Sequence, residues 1–195
     1  MNEDAATLFL LAGGWTGLLG WAGSLLYLAN HAALSLVRPY PEKIYLGANL
    51  VAALSVAIAS VVLASWQSVG VNAFWAIVSL QAMTGPARTP DFLKERQVRL
   101  VMAGVVLAAC LAAVQSFQLG LEILGWSSVI GFGSAYFLFA NNKISRAMYF
   151  LYNGWAAVLI LPILWIDGNW PVLALECCWA ALSFGSYVWE RLKQA

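Results

Sequence analysis

Charge is what this sequence has least of. Only 10% of its 195 residues are Asp, Glu, Lys or Arg, too few to cover a soluble globule when 62% are hydrophobic, so the chain reads as an integral membrane protein. A net charge of +1 offers nothing to a nucleic-acid backbone. Cysteine is scarce too. Cys110, Cys177 and Cys178 all lie in apolar runs, and the adjacent pair cannot share a helix face. A disulfide framework or thiolate metal site is therefore not expected, and the three read as small packing residues. His31 is the only histidine. With no ligand cluster, no nucleophile beside a histidine base and no phosphate loop, neither an enzyme nor a metal or cofactor is expected. Proline is nearly absent from the apolar runs, Pro162 being the one clearly inside them.

What the chain does have is long apolar stretches, at roughly 8–36, 44–64, 68–84, 98–118, 122–141, 146–165 and 171–189. A helix needs about 20 residues to cross the hydrocarbon of a bilayer, so these predict seven spans, the third being the shortest. Glu3 and Asp4 stand where a signal peptide would be positive, and the start reads as the tail of an uncleaved first span.

The few charges then order the spans. With seven crossings, all ten basic residues fall on one side: Arg38, Lys43, Arg88, Lys94, Arg96, Arg99, Lys143, Arg146, Arg191 and Lys193. Glu3, Asp4, Glu122 and Asp167 fall on the other, with no Lys or Arg. The positive-inside rule places the N-terminus outside and the C-terminus in the cytoplasm.

A shift of 104 pairs Tyr45 with Tyr149, Asn49 with Asn153, Ala52 and Ala53 with Ala156 and Ala157, and Trp66 with Trp170. The same shift pairs Trp75, Ala76 and Ser79 with Trp179, Ala180 and Ser183. Eight identities over positions 45–79 exceed the roughly three expected by chance in so apolar a chain. The first and fifth runs match at a shift of 110, through Gly23, Ser24, Leu28 and Ser35 with Gly133, Ser134, Leu138 and Ser145. Two three-helix units of equal orientation need an odd number of helices between them. The expected fold is thus all-α: a first repeat over 8–84, a linker helix over 98–118 and a second, parallel repeat over 122–189, in one membrane domain.

That three-plus-one-plus-three plan resembles the SWEET sugar transporters and the PnuC vitamin-precursor transporters. The chain has no Pro-Gln dipeptide, and runs one, two and five hold no counterpart of the SWEET hinge prolines. It also resembles the YgjV-like bacterial inner-membrane proteins, in its Gly-rich first span, an asparagine near the start of the third span, here Asn72, and a glutamate near the start of the last, here Glu176, before a basic tail. The resemblance implies a multi-pass protein of the bacterial inner membrane, without naming a substrate.

Glu176 falls opposite Asn72 at the shift of 104. Each is followed at three and seven residues by tryptophan and serine, giving Asn72, Trp75 and Ser79 on one helix face and Glu176, Trp179 and Ser183 on another. Tyr45 with Asn49, and Tyr149 with Asn153, form stripes on the second and sixth runs. Polar side chains within a bilayer face protein or water, so these ten residues are the candidate site, placed between the two repeats. A carboxylate can exchange a proton or pair with a cation, an amide supplies donors and acceptors, and indoles stack on flat or cationic groups. The expected function is a transporter or facilitator for a small polar solute, with proton coupling open. The alternative is a non-transporting membrane sensor, binding or assembly protein, in which Glu176 only bonds neighbouring helices. The expected partners are the lipid bilayer and the solute, with a homo-oligomer left open.

Overall fold

Long apolar runs nearly free of proline satisfy their backbone polar groups internally, and helices result. The computed structural model describes residues 13–36, 41–85 and 94–193. Among them are seven helices and no strand: α1 (Gly14–Leu36), α2 (Glu42–Val62), α3 (Trp66–Thr84), α4 (Glu95–Gln115), α5 (Phe117–Ala140), α6 (Arg146–Ile166) and α7 (Trp170–Leu192). Five of them, α2 and α4 to α7, are long and apolar enough to cross a membrane. The other two have sufficient length, 23 and 19 residues, but carry polar groups inside the apolar run, Asn30 and His31 on α1 and Gln67, Asn72 and Gln81 on α3. Glu3, Asp4, Arg38 and Arg88 lie outside the described residues.

The α4–α5 junction differs from the expected bounds. Ser116 adopts an extended conformation (φ −150°, ψ 113°), ends α4 and caps α5, its Oγ accepting from the Leu119 amide at 3.3 Å. A serine side chain that accepts such an amide bond competes with helix continuation, so one residue separates the two helices. At its other end α4 begins near Lys94, whose amide donates to Gln97 Oε1 at 3.2 Å, ahead of the apolar run.

Two turns are alike. Between α2 and α3, Ala64 takes a left-handed φ of +53°, and between α6 and α7, Gly168 takes +65°. In both, the tryptophan that opens the next helix donates its amide to that residue's carbonyl, Trp66 to Ala64 at 3.1 Å and Trp170 to Gly168 at 2.9 Å. These positions are 104 apart. Burial recurs at the same shift: Ala52, Ala53, Val56, Ala59 and Ser60 are buried, as are Ala156, Ala157, Ile160, Ile163 and Leu164.

The chain divides into two compact units, α1–α3 with residues 167–175 and α4–α6 with residues 176–193. In the first, Gly23 lets α1 approach α2 so closely that a Cβ would stand 3.0 Å from the Ala52 carbonyl oxygen and 2.8 Å from Val56 Cγ2. Gly20 similarly meets Ala59 and Pro171. In the second unit α4 packs directly on α5, with Gly120 against Ala109 and Ala113, and Phe184 covers Gly154. Val98, Leu138 and Ile144 form a small core there with Met102, Met148, Tyr149 and Tyr152 around it. The cysteines do not pack as expected: Cys110, Cys177 and Cys178 are all exposed. A thiol is small and only weakly polar, so exposure on a helix face costs it little packing.

Candidate functional site

Glu176 lies six residues into α7, on the face that buries Val172, Ala180 and Ser183. It is 6% exposed, and its Oε2 is buried with no hydrogen-bond partner among the described residues. A buried carboxylate without a partner is costly unless a proton or a ligand offsets its charge. Trp179 is half-buried one turn on, and Ser183 is buried beyond it. The spacing that suggested one face therefore produces one face.

In the first unit Asn72 is 2% exposed and Ser79 is buried on the same side of α3, with Trp75 half-buried between them. Asn72 is already engaged. Its Nδ2 donates to the Ser68 carbonyl at 2.9 Å and lies 3.4 Å from Ser68 Oγ. Ser68 Oγ is 2.8 Å from Ser60 Oγ, which accepts from Asn169 Nδ2 at 3.0 Å. Four buried side chains thus form a neutral chain, Asn169, Ser60, Ser68, Asn72, joining α2, α3 and the start of α7. Sequence reasoning missed three of its members. The available signal was a serine one turn before Asn72 and polar residues at the ends of apolar runs.

The two lower stripes diverge. Asn49 is half-buried, and its Oδ1 accepts from Asn30 Nδ2 at 2.8 Å, while the same nitrogen donates to the Tyr45 carbonyl at 2.9 Å. Asn49 and Tyr45 are thereby tied to α1, through Asn30, which the repeat did not flag. Asn153 instead donates to Tyr149 O within α6 at 2.8 Å, and its Oδ1 is buried without a partner. Tyr149 stacks on Phe139 with ring centroids 4.7 Å apart. The structure does not bring Asn153 to Glu176. The contact of Gly154 with Phe184 fixes the register of the antiparallel α6–α7 pair and leaves the two polar groups on the order of 13 Å apart along the axis. Among the described residues no cluster of His, Cys, Asp and Glu could hold a metal ion.

A protein-family model matches the chain over residues 16–89 and 121–193, well over half of its length, and describes an uncharacterised family. The chain belongs to that family. The matched stretches begin at 16 and 121 and end at 89 and 193, shifts of 105 and 104 that agree with the spacing of the paired tryptophans and of the left-handed turns. No curated protein and no solved structure matches the chain.

Proposed function

We propose that this family member is a small multi-pass transporter or facilitator of the bacterial inner membrane, moving a polar solute past Glu176, with seven spans as two parallel three-helix repeats joined by a linker helix. The orientation is N-terminus outside and all ten basic residues on the cytoplasmic side. This reading sets the chain beside the YgjV-like proteins it resembles. Support for two halves comes from the matched stretches and from the burial and turn geometry that recur at the same shift.

The observation that carries the functional reading is the unpartnered Oε2 of Glu176 on a helix apolar enough to cross a membrane. A carboxylate retained as helix glue shows its bond to a neighbour, as Asn49 shows its bond to Asn30. Glu176 shows none. A charge costs about 2.5 to 3.5 kcal/mol at a helix centre and less toward the ends, and at Glu176, about two turns into α7, a proton or a cationic solute offsets the cost. Trp179, one turn away, offers an indole face for a flat or cationic group.

Uptake by wild type, Glu176→Gln and Trp179→Ala across a panel of small polar solutes tests this. The glutamine variant keeps the shape and loses the charge, so transport of the true solute falls at least tenfold, a loss of about 1.4 kcal/mol or more. Two folded variants that match wild type for every solute would overturn the reading. A stable complex with another protein, together with no flux in proteoliposomes, would favour a sensor or assembly role instead.

A further inference from the structure

The second unit contains a feature unrelated to Glu176. A cleft of about 610 Å³ opens between α4, α5 and α6. Met102, Val106 and Cys110 of α4 form one wall, Trp155 and Leu159 of α6 the other, and Gly131 of α5 lies at the base. Small residues make the depth. At Gly131 a Cβ would stand 3.1 Å from Ala156 Cβ and 3.5 Å from Met102 Cε, so a larger side chain would fill the floor.

The cleft is apolar except at one end, where Arg99 and Tyr152 line it. Tyr152 Oη donates to Glu95 Oε1 at 2.8 Å, and the same oxygen lies 3.7 Å from Arg99 Nε. Glu95 and Tyr152 thus hold each other, while among the described residues Arg99 makes this long contact, through Nε, and its side chain is 61% exposed. A guanidinium engaged so lightly is available for the bidentate bonds that phosphate oxygens accept.

We infer that the cleft holds one acyl chain of an anionic phospholipid whose phosphate sits at Arg99. Three quantities favour this occupant. From Arg99 to Cys110 the lined stretch of α4 runs eleven residues, about 16 Å. That is close to one leaflet of a hydrocarbon core about 30 Å thick. The volume falls within the range of about 300 to 1,000 Å³ typical of sites that enclose a small molecule. The single cation lies at the end where a headgroup would emerge, with Lys94 and Arg96 one turn before it in sequence. The inference rests on the membrane reading above but not on solute transport.

Native mass spectrometry of the full chain in detergent, titrated with phosphatidylglycerol or phosphatidylcholine of identical tails, tests it. Wild type is expected to retain one phosphatidylglycerol about tenfold more tightly than phosphatidylcholine. Arg99→Gln removes that preference, weakening retention of phosphatidylglycerol more than that of phosphatidylcholine, whose choline already offsets the phosphate charge. Ala103→Trp and Ala135→Leu, two independent fillings of the cleft, each abolish tight retention of both lipids, with circular dichroism reporting that the helices persist. Equal retention of the two lipids by wild type would overturn the inference, as would retention indifferent to both filling variants. A wild-type dimer that the fillings dissociate, without loss of lipid, would assign the cleft to a second copy of the chain. Variants at Glu176 that match wild type for every solute would overturn the transport reading and leave lipid selectivity untouched, so the two proposals fall separately.

Discussion

Ala64 and Gly168 do the same work in two turns, yet only one of them is a glycine. Both adopt positive φ and both accept the amide of the tryptophan that follows by two residues. A Cβ in the left-handed region costs roughly 1 to 2 kcal/mol, and glycine avoids it. Ala64→Gly is therefore expected to stabilise the protein by about 1 kcal/mol, and Gly168→Ala to destabilise it by a similar amount, both read from detergent-solubilised unfolding followed by circular dichroism. Opposite signs are the requirement; two losses would mean that the turns are not equivalent. At this scale Glu176 was legible, because a carboxylate among apolar residues needs no alignment to be noticed. The serine and asparagine chain behind Asn72 was not. At the shift of 104 Ser60 falls opposite Leu164 and Ser68 opposite Val172, all four buried, so the network exists in one half only and a search for identities passes over it.

Helices were the most legible feature, since their apolar runs are long and their breaks are marked by charge. The bounds of α6 and α7 fall within three residues of the runs that predict them; α4 is shifted by three residues toward its N-terminus at both ends, and α5 starts five residues before its run. Hydropathy cannot see that Ser116 caps α5, nor that Lys94 and Gln97 start α4 among charged residues. Where helices touch, glycine decides the distance. Alanine at Gly23 would press on the Ala52 carbonyl oxygen, a backbone atom that cannot rotate away, and on Val56. Gly23→Ala should cost about 1 to 3 kcal/mol by overpacking. Gly104 of α4 has nothing within 4 Å of its Cβ position, so Gly104→Ala should gain about 0.5 to 1 kcal/mol from helix propensity alone. The contrast between two identical substitutions isolates packing from propensity, and equal effects in the unfolding assay would refute the close α1–α2 approach.

For the whole molecule, the proposed orientation in a membrane rests on charge that occupies little of the chain. Asp167 belongs to the α6–α7 turn and Lys143 to the α5–α6 turn, at opposite ends of α6. If α6 crosses the bilayer, these turns lie on opposite sides, and the basic residues place Lys143 in the cytoplasm. The three native cysteines are exposed, and replacing them by serine or alanine creates no large core cavity. In that background Asp167→Cys is expected to react with a membrane-impermeant maleimide in intact cells, and Lys143→Cys only after permeabilisation. Reaction of both without permeabilisation would mean that α6 does not span. The reverse pattern would invert the proposed orientation, moving the Arg99 end of the cleft to the outer leaflet and the Glu176 end of α7 toward the cytoplasm. The headgroup preference and the side from which solute reaches Glu176 are thereby linked to one labelling result, because both follow from the same asymmetry of ten positive charges.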